Sequence, residues 1–200
     1  MQLEDNEKIN LDEVIEFATL KHKGQMRADG TEYVTHPIRV SELVARFKPE
    51  SKNINVLKAG AILHDVLEDT YTSYRELEDK FGQVVASLVM EVTSSAYVPK
   101  LVGKQTYLAH KMRYMSPYAL VIKLADRLDN LTDVGALNIE KIRKTFFDTI
   151  YMISYLENKR TLTDPQSNLI LAIRNQLTKI NQQYNFTAGS LLTNIDRDSD

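Results

Sequence analysis

Cysteine is absent from this 200-residue chain, which excludes disulfides, thiolate metal sites and a cysteine nucleophile together. Its absence also suits a reducing cytoplasm, the compartment expected here. Glycine (7 residues) and proline (5 residues) are scarce, and runs of alternating valine and isoleucine are short, so a strand-rich fold finds little support. No apolar stretch reaches the roughly 20 residues that span a bilayer. The polar, acidic segment Met1 to Asn10 lacks the apolar centre of a secretory signal. An excess of one charge sign is missing as well. Lys and Arg number 25 against 27 Asp and Glu, for a formal charge of -2, which leaves no electrostatic footprint for nucleic acid. Neither a membrane nor a nucleic acid is therefore expected as a partner.

What is present suits a soluble globular chain. Hydrophobic residues make up 43% and charged residues 26%, enough to bury a real core within one domain. Apolar positions recur with a period near 3.6, which predicts an all-α fold of about eight to ten helices. One domain is expected over residues 1–186, followed by a C-terminal tail over 187–200 that is poor in large apolar residues.

Asn10 with Glu13 three residues on forms a capping box for a first helix reaching about Gln25. Pro37 opens a second helix to Phe47. A third is expected to run unbroken from Ile54 to Asp69. Ser73 and Glu76 cap a short helix ending at Gly82, and Val84 to Val92 is apolar enough for a buried one. Ser94 to Gly103 is expected to be a loop. Helices follow over Lys104 to Met115, Tyr118 to Val134 and Ile139 to Arg160. Asp164, as N-cap, and Pro165 open a last one to about Tyr184.

The third helix carries Leu63-His64-Asp65-Val66-Leu67-Glu68-Asp69. On a continuous helix the imidazole and the three acids fall within an arc of about 140°. Such a cluster is poorly suited to a dry core and repels itself unless a cation sits among it. An ordinary solvated acidic face is the competing reading. Two further segments favour the cation. Lys123-Leu124-Ala125-Asp126-Arg127-Leu128-Asp129-Asn130 places Asp126 and Asn130 on one face of an apolar helix. His36 precedes Pro37 at a loop-to-helix junction, where a ligand can be aimed inward. Two imidazoles and two carboxylates suit manganese, iron or zinc, with sites left for water and phosphate oxygens. These ligands are expected to line a cleft rather than fill the core.

His36-Pro37, His64-Asp65, Glu68-Asp69 and Lys123-Leu124-Ala125-Asp126-Arg127 with Asn130 resemble the hydrolase domain of the RelA/SpoT homologues, an HD-type fold. His22 to Arg27, Phe81-Gly82 and Val92-Thr93 fit the same pattern. In length the chain is similar to the small alarmone hydrolases of that family. About 65 residues follow Gly135, too few for the synthetase domain of the bifunctional members. The resemblance implies a manganese site made by His36, His64, Asp65 and Asp126. It implies that Glu68 and Asp69 act on the attacking water, that Arg27 grips the base and that Asn130 contacts the ribose. The reaction implied is removal of pyrophosphate from the 3′ position of guanosine tetra- or pentaphosphate.

The family uses no metal ligand at the position of His22, which reads as a structural helix histidine; His110 reads as surface or interface. Three departures concern charge. Ala28 follows Arg27 where the family often has Arg-Lys, Asp129 stands where it often has His, and Thr132-Asp133 stands where Arg is common. Each removes or reverses positive charge near a polyphosphate. Lys100, Lys104 and Arg143 are therefore the candidate phosphate contacts, with Lys123, Arg127 and Lys144 behind them. Other readings stay open at this point. They include an adenosine alarmone, a nucleoside monophosphate or NADPH as substrate, a hydrolase that neutralises a toxic alarmone synthetase, a nucleotide-binding regulator without catalysis, and a homo-oligomer.

Overall fold

The structure is a computed structural model and describes residues 9–186; the tail expected over 187–200 lies outside the described residues. Among the described residues there are ten α-helices and one 3-10 turn, with an isolated bridge between Met26 and Glu32 in place of any strand. The all-α expectation holds. No helix among the described residues is long and apolar enough to cross a membrane.

Helix α1 (Leu11–Lys21) starts where Asn10 accepts the Asp12 N–H and its amide donates to Glu13 at 3.0 Å. It stops at His22, short of the expected Gln25. Helix α2 (Thr35–Phe47) carries His36 and Pro37 in its first turn. The expected third helix is broken. Helix α3 (Ile54–Ile62) ends before His64, and a separate turn, α4 (Val66–Asp69), follows. Helix α5 (Tyr74–Val92) contains a kink at Gly82, whose φ of 82° and ψ of 160° lie outside helical space. Only glycine takes that conformation at low cost, so the two short helices expected around it meet there.

The segment read as a loop contains a short helix, α6 (Val98–Val102), started by Pro99 and ended by Gly103 at φ 83°. Helices α7 (Lys104–Tyr114), α8 (Pro117–Thr132), α9 (Ile139–Lys159) and α10 (Asp164–Tyr184) lie close to their expected positions, with the 3-10 turn at Val134–Ala136. The cap of α10 is Thr163 rather than Asp164. Thr163 and Gln166 form a reciprocal capping box, which satisfies two backbone donors and outcompetes the aspartate one residue on.

Helix α8 is the centre of the packing. It lies against α2, α3, α5, α9 and α10, and Leu120, Ile122, Leu124 and Leu131 on it are fully buried. Each such leucine or isoleucine contributes about 1.5–3 kcal/mol. Helix α3 approaches α5 and α8 at Gly60, where a Cβ would stand 2.7 Å from Leu88 Cδ2 and 3.2 Å from Ile122 Cδ1. With its flanks occupied in this way, α8 keeps its polar residues Lys123, Asp126, Arg127 and Asn130 on one stripe at helical spacing, and that stripe faces the site.

Candidate active site

The break between α3 and α4 creates the centre of the site. Leu63 still donates to Ala59 at 3.0 Å, but Val66 donates to Leu63 at 3.1 Å, a tighter i−3 pattern. Leu63 (φ −98°, ψ 1°) and Asp65 (φ −103°, ψ −5°) occupy the bridge region between helix and strand. On a continuous helix His64 and Asp65 would point 100° apart. Here the turn brings His64 Nε2 to 3.0 Å from Asp65 Oδ2. The physical reason for the break is visible in the His64 ring. Its Nδ1 donates to the Ala61 carbonyl at 2.8 Å, a local bond that competes with the helical ladder.

His36 reaches the same point from α2. Its Nδ1 donates to Asp129 Oδ2 at 2.6 Å, while Nε2 lies 3.3 Å from Asp126 Oδ1 and 3.8 Å from Asp65 Oδ2. Asp126 Oδ1 is 3.7 Å from His64 Nε2 and accepts from Asn130 Nδ2 at 2.5 Å; Oδ2 is 3.2 Å from Lys123 Nζ. Candidate ligand atoms of His36, His64 and Asp65 lie within 4.8 Å of one another, and Asp126 flanks both imidazoles.

Carbonyl and carboxylate oxygens only accept, so both histidines carry a hydrogen on Nδ1 and turn Nε2 toward the carboxylates. His64 Nε2, although 3.0 Å from Asp65 Oδ2, is buried and forms no hydrogen bond among the described residues. Two nitrogens and two anionic oxygens around a buried, unsatisfied atom fit a divalent transition cation. Burial opposes charge on His64, yet Asp65 and Asp126 outweigh it and push the imidazole up to about 10. Burial alone would raise Asp126, but Lys123 and the imidazoles hold it well below the usual carboxylate range. As expected, His36, Asp65 and Asp126 line a cavity, whereas His64 does not. Both rings are buried nonetheless, His64 at 0% and His36 at 1% exposure.

Above them lies a cavity of about 660 Å³, lined by Arg27, Tyr33, Asp65, Glu68, Asp69 and Asp126 among others. Glu68 Oε1 accepts from the Ser94 N–H at 2.5 Å, which ties α4 to the segment leading into α6. The Tyr33 hydroxyl donates to Asp65 Oδ2 at 2.6 Å and lies 3.2 Å from Asp69 Oδ2. Burial, then Asp65, pushes its phenol far up, so it stays a donor. Arg27 is held by Asn130 Oδ1 at 3.3 Å and Asp133 Oδ2 at 3.1 Å. Lys100 and Lys104 line the cavity from the α6 side, together with Arg127. Lys104 and Arg127 also border an adjoining recess of about 210 Å³ shared with Lys141 and Lys144. Arg143 is not among the residues lining either space.

His22 stands outside the ligand cluster. Its Nδ1 meets Gln25 Oε1 at 2.8 Å, and Gln25 in turn donates to the Asp69 carbonyl at 2.8 Å. These contacts suit the structural role expected of it, with Nε2 buried and without a hydrogen bond among the described residues. His110 is exposed and 3.3 Å from the Tyr155 hydroxyl.

Two participants were not singled out from sequence, Tyr33, three residues before His36, and Arg39, three after it; Asp129, three after Asp126, reads there only as added negative charge. One-turn spacing from a candidate ligand was the available signal. Asp129 and Asp133 are not free negative charge beside the substrate. Arg39 pairs with both, donating to Asp129 Oδ1 at 2.8 Å and to Asp133, and Arg27 shares Asp133.

The comparisons with known proteins agree with this geometry. Residues 15–152 match the family model described as HD domain. The guanosine-3′,5′-bis(diphosphate) 3′-pyrophosphohydrolase MESH1 of Homo sapiens is 41% identical over 132 residues, which cover 65% of this chain and 72% of that protein. Its counterpart in Danio rerio is 39% identical over 125 residues, covering 62% and 68%. The bifunctional (p)ppGpp synthase/hydrolase SpoT of Escherichia coli K12 is 34% identical over 144 residues, 69% of this chain but 20% of that protein. The solved structure of a metazoan SpoT orthologue that hydrolyses ppGpp superposes with a TM-score of 0.69 at 28% identity, covering 86% of this chain and 93% of that one. Together with the paired histidines and carboxylates, these matches show that the chain belongs to the HD-domain family, within its RelA/SpoT-homologue hydrolases.

Proposed function

We propose that the chain removes pyrophosphate from the 3′ position of guanosine tetra- or pentaphosphate, giving GDP or GTP. The observation that carries this reading is the convergence of two inward-facing imidazole Nε2 atoms and two carboxylates beneath a cavity that also presents Glu68 and Asp69. His36, His64, Asp65 and Asp126 would hold a divalent metal, with manganese as the first choice. When bound, the metal supplies Lewis-acid polarisation of a phosphoryl group and a lowered pKa for water.

The remaining work falls to side chains of this chain. Water attacks the phosphorus next to the ribose, the bond from that phosphorus to the 3′ oxygen breaks, and the leaving oxygen takes up a proton. Glu68 and Asp69 each have a carboxylate oxygen free of the contacts to Ser94 and Tyr33, with which to orient water and relay that proton. Arg27, steadied by Asn130 and Asp133, offers a guanidinium plane to the base. Asn130 would contact the ribose, and Lys100 and Lys104, which line the same cavity, would meet the 5′ phosphates. Six carboxylates and five Lys or Arg line the cavity, so a polyphosphate needs the metal's charge to be held there at all.

Product analysis tests the proposal. The purified chain in manganese buffer is given guanosine tetraphosphate, adenosine alarmones, nucleoside monophosphates and NADPH. GDP with pyrophosphate is the expected product from the first. Turnover of another member of the panel with none of the tetraphosphate would overturn the substrate and leave the metal chemistry standing.

A further inference from the structure

Asp129 is 4% exposed, and both its oxygens are engaged. Oδ2 accepts from His36 Nδ1 at 2.6 Å and from Arg39 Nη2 at 2.9 Å, and Oδ1 accepts from Arg39 Nε at 2.8 Å. The guanidinium therefore grips the carboxylate with two parallel bonds, the strongest geometry available to such a pair. His36 and Arg39 are one turn apart on α2, and Asp126 and Asp129 one turn apart on α8. A single turn of each helix, packed face to face, thus contains both a candidate metal ligand and its support.

We propose that Asp129, with Arg39 as its counter-ion, is the positioning residue that presents His36 Nε2 to the metal, and that the two act as one unit. The inference rests on the metal reading above. The two imidazoles are held by different means. His64 is pinned by the Ala61 carbonyl, a backbone group that no side-chain substitution removes. His36 is pinned by a side chain. A carboxylate that only accepts fixes the hydrogen on Nδ1, leaves Nε2 free beside Asp126, and makes the imidazole a more basic ligand. Without Arg39 that buried carboxylate would lose the guanidinium that pairs with both its oxygens. Arg39 also pairs with Asp133, which in turn holds Arg27. A continuous chain of charge therefore runs from Arg27 in the cavity wall through Asp133, Arg39 and Asp129 to His36.

Manganese binding to the full chain, measured by calorimetric titration, tests the inference without any turnover. Asp129→Ala should weaken binding about 10–100-fold, the scale seen when a support behind a metal-ligating histidine is removed. Asp129→Asn keeps an accepting oxygen of the same shape and should fall between that variant and the wild type. Adding Arg39→Met to Asp129→Asn should cost little more, because Arg39 acts through Asp129. In the zinc-loaded wild type, nitrogen NMR should show the His36 Nδ1–H as a strongly hydrogen-bonded signal, and Asp129→Ala should lose it. A merely structural aspartate would change the melting temperature and neither of these readouts. If Asp129→Ala does not fold, the Arg39→Met, Asp129→Asn protein decides, since it removes both charges at nearly constant volume. Wild-type manganese affinity in the folded variants overturns this inference alone. A wild-type chain that binds neither manganese nor zinc overturns the metal reading with it.

Discussion

The rings of His36 and His64 meet edge to face, with centroids 5.2 Å apart and planes at 69°, although one comes from the start of α2 and the other from the break after α3. Each ring is fixed at Nδ1, and each turns Nε2 toward Asp65 and Asp126. The arrangement is suited to sharing one cation.

Manganese should therefore raise the melting temperature of the wild-type chain, since a ligand that binds only the folded state stabilises it. His64→Ala and Asp126→Ala should abolish both that shift and the metal found by elemental analysis. His64 is fully buried, so its loss also lowers stability. Circular dichroism confirms that the variants are folded before the metal is counted. Stoichiometric metal retained by both variants would refute the ligand assignment.

Glu68→Gln combined with Asp69→Asn should keep the metal and lose at least ~100-fold in kcat, the scale of general acid-base assistance. The amides preserve the acceptor oxygens that meet Ser94 and Tyr33, so the site should keep its shape. Turnover near the wild-type rate would make the two carboxylates structural.

Lys100→Ala with Lys104→Ala should raise KM for guanosine tetraphosphate and leave kcat largely intact, because a contact to the 5′ phosphates is alike in ground and transition states. Steady-state kinetics decide. An unchanged KM would move the assignment to Lys141 and Lys144, which share the adjoining recess with Lys104 and Arg127. Arg143 borders neither space.

Gly60→Ala should destabilise the chain by about 1–3 kcal/mol, the usual cost of overpacking a core. The added methyl would press on Leu88, 2.7 Å away. Adding Leu88→Ala should recover part of the loss in a urea titration. Additive losses would show that α3 can move aside.

Sequence alone determined the helical class, most of the helix positions and the set of candidate ligands. Those signals are local. Capping residues at Asn10 and Ser73 act within three residues, apolar periodicity acts within a few turns, and His64-Asp65 is a dipeptide. Tertiary structure decided the rest. The helix expected from Ile54 to Asp69 breaks because a buried His64 ring bonds the Ala61 carbonyl, and periodicity carries no record of that choice. Asp129 counted from sequence as surplus negative charge because its partners, Arg39 and His36, lie on another helix and far along the chain. Arg143 counted as a phosphate contact because its charge is legible and the rotation of α9 about its own axis is not. A sequence states which charges exist; only packing states which of them face one another across a low-dielectric interior, and there the pairing sets the chemistry.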